Sequence, residues 1–321
     1  MKIFSLAANE NWVVDRFVQE WNESNPGLMT TNPHDCDILW LVAGWCWNQV
    51  PLDMLRSKKV VLTVHHIVPE KFDQQKIREF IERDYFIDAY HVPCEKTKEQ
   101  IVSMTNKPIF VIPFWANQNL WFEILGKNEI REKYGIDKNL HLIGSFQRDT
   151  EGSDLISPKL EKGPDIFCDK VEKLFSERSD VGVLLAGWRR QYVINRLRSK
   201  GIPYYYFDLP SFEVLNELYN CLDLYLITAR HEGGPQAIIE CALTKTPCIS
   251  TDVGIATKIL SEESIIRGSE KPASPDVDYA HKKVKELEMP QGFSEFRNMF
   301  KKICVSNTDT IPISPTNIKI L

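Results

Sequence analysis

The stretch RHEGGPQAIIE, residues 230–240, sets two carboxylates, Glu232 and Glu240, eight positions apart. Gly233, Gly234 and Pro235 follow directly on the first. Glycines leave a turn's backbone bare, so a ligand can come close to it. The first N–H groups of a following helix point into that gap and attract an anion such as phosphate. At helical rise the two acids are at most about 12 Å apart, too far to share one proton. They suit the two ends of one long anionic ligand. The competing reading is a tight strand-to-helix turn with two solvated glutamates.

The elements on either side position these residues. LDLYLITA (222–229) is an apolar run that reads as a buried strand. PQAIIECALTK (235–245) has Ala237, Ile238, Cys241 and Ala242 at helical spacing, and Pro235 suits the first helical position. The same alternation fills the chain. MKIFSLA precedes a helical pattern with Val13, Val14, Phe17, Val18 and Trp21 on one face. DILWLV, KVVLTVHH, AYHVP and IFVIPF follow, and then LHLIGSF, VGVLLAGW, YYYFD, LDLYLITA, PCIST and SIIRG. Continuous apolar strands alternating with helices predict parallel sheets covered on both faces. There are too many strands for one compact sheet, and a polar helical stretch at about 115–140 interrupts them. The expected architecture is α/β with two doubly wound, Rossmann-like domains, residues 1–117 and 118–290, facing a central cleft. Residues 291–321 supply a late helix, FSEFRNMFKKI, expected to pack back across the first domain, and a surface tail. The opening stretch leaves a strand at its carboxyl end, where open α/β sheets bind ligands.

Composition narrows the function. The 321 residues carry a net charge of −5 with 43% apolar content. That balance argues against a nucleic-acid partner, which would call for a basic footprint. No run approaches the length of a membrane span, and MKIFSLAANENWVV turns polar too soon for a signal peptide. The eight cysteines are scattered without a C-x-x-C, and no histidine pair has zinc spacing, so no metal or disulfide framework is expected. The expected location is the cytoplasm, with peripheral contact at the cytoplasmic membrane face left open.

EGGPQAIIE resembles the E-x7-E signature of the retaining GT-B glycosyltransferases, family 4 in particular. CALTKTPCISTDVG continues in the family's manner, LIGSF…EKGPDIF resembles its strand-loop-helix with a Lys-Gly pair, and VVLTVHHIVPE resembles its first-domain histidine segment. VIPFWANQNLWF is similar to its interdomain connection. The resemblance is most specific over 140–255. It implies that Glu240 holds ribose hydroxyls of a sugar nucleotide and Glu232 contacts the donor sugar. It also implies that Lys162, with the N–H groups of Gly233 and Gly234, holds the diphosphate, Pro235 standing beside them. Arg148 is the implied second phosphate-binding cation, with Lys159 as a competitor. His65 falls at the family's histidine near the transferred sugar, with His66 adjacent. The chain departs from the family in its first loop, LAANENW, where Asn9 and Asn11 stand in place of glycines, and after TDVG, where Ile255 and Lys258 stand.

A nucleoside diphosphate leaves with growing negative charge, which fixed cations and a helix N-terminus stabilise without rearrangement. The expected activity is metal-independent, retaining transfer from a nucleotide-diphosphate sugar, a co-substrate and no cofactor, to a glycan, glycolipid or other glycoconjugate. A sugar-nucleotide epimerase and a catalytically silent sugar-nucleotide-binding module are the alternatives. Trp45 and Trp47 are read either as core or as stacking platforms for an acceptor sugar. The aromatic PYYYFD (203–208) lies where such enzymes hold the base.

Overall fold

The computed structural model describes residues 1–10, 13–268 and 272–305. Asn11 and the expected surface tail lie outside the described residues. The first half runs β1 (Ile3–Leu6), α1 (Val13–Ser24), β2 (Ile38–Leu41), α2 (Leu52–Ser57), β3 (Lys59–Thr63), α3 (Gln74–Asp84), β4 (Ala89–Val92), α4 (Glu95–Ile101) and β5 (Ile109–Val111). The second half begins α5 (Lys127–Lys133), β6 (His141–Ser145), α6 (Pro164–Glu177), β7 (Val181–Ala186), α7 (Gln191–Lys200) and β8 (Tyr204–Phe207). It continues α8 (Phe212–Asn220), β9 (Leu224–Ile227), α9 (Gln236–Thr244), β10 (Cys248–Thr251), α10 (Ala256–Ile259), β11 (Ile265–Ile266), α11 (Val277–Val284) and α12 (Ser294–Val305).

All strand pairs are parallel, in two sheets. The first has the order β1-β2-β3-β4-β5, and Met29 bridges to Ile3 on the far side of β1. The first crossover therefore goes one way and the later ones the other. This covers the sheet on both faces and puts a switch point between β1 and β2. The second sheet has the order β11-β10-β9-β6-β7-β8, with its switch point between β6 and β9. Two doubly wound domains are thus observed, as the alternating apolar strands predict. The opening stretch leaves β9, at the crevice of the second sheet.

The last helix lies on the first domain. Phe293, Phe296 and Phe300 are fully buried and pack among Trp21, Trp40 and Trp115, with ring centroids as close as 4.6 Å for Trp115 and Phe293. Burying three such side chains contributes roughly 5–9 kcal/mol before entropy is counted, enough to hold a helix that has left the second domain. Seven of the eight cysteines are buried and free, and Cys304 is exposed. Among the described residues no helix is long and apolar enough to cross a membrane.

Candidate active site at the domain seam

Loops at the carboxyl ends of both sheets meet face to face. A Cβ added at Gly233 would lie 1.7 Å from the His65 carbonyl oxygen, and one at Gly254 would lie 2.3 Å from the Gly233 oxygen. At Gly234 the added atom would meet Pro93 at 3.2 Å. The bare backbone at Gly233 is therefore filled by the first domain. On the Cβ side of Gly233 the close approach is thus made by the first domain, where the sequence leads one to expect a ligand, and Gly234 has no such backbone contact. The N–H groups of both glycines donate to no protein acceptor among the described residues, so they remain available to an anion. Pro235 is corrected: it is the N-cap of α9, with ψ 111°, and the helix begins at Gln236.

The second domain brings Lys162 to Glu232 by locking two loops together. Gly163 has φ +63°, and a Cβ there would lie 1.8 Å from the Thr228 carbonyl oxygen, so only glycine seats the start of α6 against the end of β9. Thr228 Oγ1 donates to the Gly163 oxygen at 2.7 Å. The Arg230 guanidinium clasps Asp165 through two bonds of 2.8 and 2.6 Å. Lys162 Nζ then contacts the Glu232 carboxylate directly. Burial pushes that carboxyl up, but Lys162, with His66 and Lys159, overcomes it and holds Glu232 below the ordinary value.

From the first domain, His65 follows β3. Its Nε2 lies 2.9 Å from the Val42 carbonyl oxygen, and its ring stacks on Phe114 at 5.6 Å. A carbonyl only accepts, so Nε2 carries the proton and Nδ1 is left as an acceptor. Burial lowers the His65 pKa, which keeps the ring neutral. Burial also lowers His66, to about 4, against the pull of Glu232. Both histidines lie within electrostatic reach of Glu232 and Lys162.

The other candidates separate. Lys159 pairs with Glu161 at 3.0 Å, and Lys71 of the first domain reaches the same carboxylate at 2.9 Å. Even so, Lys159 acts electrostatically on Glu232 and His66. Arg148 donates to the Thr150 carbonyl and lies 5.4 Å over the Trp188 ring, with Arg189 on the same ring at 4.7 Å. Glu240 is buried, and it accepts from Tyr219 Oη at 2.7 Å and from Arg16 of the first domain at 3.3 Å. Trp45 is half-exposed, 5.8 Å from His65, whereas Trp47 packs on Phe86. In the PYYYFD strand, Tyr205 Oη accepts from Asp137 N, and Tyr206 Oη donates to Asp208.

Several residues at the seam escape sequence reasoning. Asp15 accepts from the N–H groups of Ala8, Asn9 and Glu10, so the first loop closes on a carboxylate of its own. Asn9 there adopts φ 57°, the conformation a glycine would otherwise supply. Arg16 and Trp188 are likewise missed. The one available signal is an Asp-Arg pair at the start of a helix, Asp15 and Arg16, at the edge of its apolar stripe. Two Asp-x-Asp triplets are present, Asp35 to Asp37 and Asp276 to Asp278. The first precedes β2 at its amino end, and Asp276 caps α11. Among the described residues no three His, Cys, Asp or Glu side chains cluster as metal ligands.

Residues 154–273 match the family described as glycosyl transferases group 1. That segment holds Lys159, Lys162 and the stretch from Glu232 to Glu240, and it excludes His65 and Arg148. Over 142 residues the chain is 24% identical to the lipopolysaccharide core biosynthesis mannosyltransferase LpsB of Rhizobium meliloti. The match spans 42% of this chain and 38% of that relative's length. Among solved structures, the chain is similar to Anabaena Alr3699/HepE crystallised with UDP, at a TM-score of 0.74 and 13% identity. That alignment covers 94% of this chain and 100% of that one. A crystal of the same protein with UDP-glucose aligns at a TM-score of 0.63 and 14% identity, over 94% and 97% of the two chains. At these identities the structural likeness is one of fold, and the fold is the two-domain GT-B architecture.

Proposed function

We propose that this chain is a retaining, metal-independent glycosyltransferase of the family 4 type. It moves a sugar from a nucleotide-diphosphate sugar to a glycan, glycolipid or other glycoconjugate. The observation that carries the reading is the Lys162–Glu232 pair at the seam of two carboxyl sheet edges, faced by His65 and His66. UDP-sugars are the first donors to test, because the HepE crystals contain UDP and UDP-glucose.

In this reading Lys162 and the N–H groups of Gly233 and Gly234 take the diphosphate, whose charge grows as the glycosidic bond breaks. Lys159 is the better second cation, since it acts on Glu232 while Arg148 is committed to Trp188. Glu232 orients the donor's hydroxyls and is not a nucleophile. Neutral His65 accepts a sugar hydroxyl at Nδ1. Departure and attack share one face of the sugar, which retains its anomeric configuration. The acceptor enters beside half-exposed Trp45.

The test is donor turnover on a panel of UDP-, GDP- and ADP-sugars with and without glycan acceptors. Acceptor-dependent release of nucleoside diphosphate supports the reading. Interconversion of the sugar without release points to an epimerase, and binding with neither points to a silent module. Glu240→Ala is expected to weaken nucleotide binding by about 1.5–3 kcal/mol, the range for hydrogen bonds to a charged group. Calorimetry with UDP, GDP and ADP checks this, and unchanged affinity for every nucleotide the parent binds removes Glu240 from the site.

A further inference from the structure

Arg16 sits in the first turn of α1, yet it ends in the second domain. Its guanidinium carbon lies 5.7 Å from the Phe17 ring, 5.5 Å from Trp121 and 5.6 Å from Phe212. These rings come from α1, the interdomain connection and α8. Nη2 reaches Glu240 Oε1 and Gln236 Oε1, each at 3.3 Å. Arg16 and Glu240 are both 8% exposed. Arg16 Nε is buried with no partner among the described residues.

We propose that Arg16 is a positioning residue of the nucleotide site, aiming and charge-balancing the Glu240 carboxylate for a ribose diol, so that nucleotide affinity depends on the first domain being in place. The proposal rests on the reading that Glu240 takes ribose hydroxyls. Each carboxylate oxygen has two lone pairs. Tyr219 uses one on Oε2 and Arg16 one on Oε1, which fixes the plane of the group and leaves one acceptor site per oxygen for the two hydroxyls of a cis-diol. Asp15 holds the N–H groups of Ala8, Asn9 and Glu10, so the first loop has none of these amides to offer a donor.

The charges around Glu240 give the role a pH signature. Burial raises its pKa, Arg16 and Tyr219 pull it down, and Glu20 on α1 raises it. Tyr225 on β9 and Cys241 on α9 lie close enough to feel the Glu240 charge, and both are neutral at ordinary pH. Without the Arg16 charge the carboxyl moves further up. Binding that needs the carboxylate then survives above the new value and is lost as pH falls through it.

The experiment is UDP calorimetry on the full chain across about pH 6 to about pH 8.5, on the parent, Arg16→Gln, Arg16→Lys and Glu240→Ala. Arg16→Gln is expected to bind at least about tenfold more weakly than the parent at the acid end and to recover to within about threefold at the alkaline end. Arg16→Lys keeps the charge but loses the planar guanidinium stacked among three rings, and is expected to fall between the parent and Arg16→Gln at the acid end. The proposal is overturned if Arg16→Gln binds like the parent at every pH, or if both variants lose the same affinity at every pH. Should Arg16→Gln not fold, Arg16→Met, which can fill the same aromatic surround without the charge, takes its place: a loss confined to the acid end supports the role, and parent-like or pH-independent binding overturns it. A parent that binds UDP but is indifferent to Glu240→Ala locates the failure in the ribose reading, and the proposal falls with it.

Discussion

Lys162→Ala is expected to lower turnover by about 10²–10³-fold, the effect of removing one fixed donor from a developing negative charge. Affinity for the free nucleoside should change far less, because the proposal sets the ammonium on the diphosphate. The substitution has a second consequence. Lys162 is the charge that most opposes the burial of Glu232, so without it that carboxyl rises. A carboxylate held low in the folded state contributes stability above its unfolded pKa, and that contribution is lost as pH falls through the folded value. The variant should lack this contribution near neutral pH, by about 1–3 kcal/mol for a partner left unsatisfied. Steady-state kinetics and thermal melts on Lys162→Ala, Lys159→Ala and Arg148→Ala rank the three cations. Full activity in Lys162→Ala removes it from the site.

Gly233→Ala is expected to be nearly as damaging, for a different reason. Its φ is not in the left-handed region, so an alanine meets no backbone penalty there. The penalty is contact: the new methyl would sit 1.7 Å from the His65 carbonyl oxygen. The seam must open by an ångström or more, and a displacement of that size at a reacting centre costs about 100-fold. Gly234→Ala is the control, since its methyl would meet only Pro93 at 3.2 Å. A large loss of turnover in Gly233→Ala with little in Gly234→Ala identifies the glycine as a domain contact. Equal losses, or a loss of nucleotide affinity alone, favour a ligand contact at this position.

These two positions mark what could and could not be read from the chain alone. LDLYLITA and VGVLLAGW announce β9 and β7 because a buried parallel strand must be apolar throughout, a demand local to the strand. Lys162 beside Gly163 is legible because a helix start after a glycine is a local event. The partner of Gly233 is not local: it is the His65 carbonyl, far away in sequence, and a bare backbone looks the same whether a ligand or another domain approaches it. Pro235 shows a smaller gap, since the N-cap and first helical positions differ by one residue and a ψ angle. Asp15 and Arg16 are less legible still. Both lie beside the apolar stripe of α1, where charged residues normally face water. Only the second domain turns Arg16 inward, against Trp121, Phe212 and Glu240.

The interdomain ion pairs differ in weight. Lys96–Asp252 at 2.6 Å joins two exposed side chains, so it contributes about 0–1 kcal/mol and yields readily to salt. Arg16–Glu240 is buried on both sides, and removing either member leaves an uncompensated charge. Lys71–Glu161 at 2.9 Å, with its carboxylate buried and its ammonium exposed, stands between the two.

The central claim, that Lys162, Glu232 and the turn amides transfer a sugar without a metal and with retention, is tested most directly by one measurement. Proton NMR follows the anomeric signal as a UDP-sugar is consumed in the presence of a glycan acceptor and excess EDTA. The predicted result is a new glycoside with the anomeric configuration of the donor, formed at the same rate with and without EDTA. An inverted product, or activity abolished by EDTA and restored by manganese, would contradict the account.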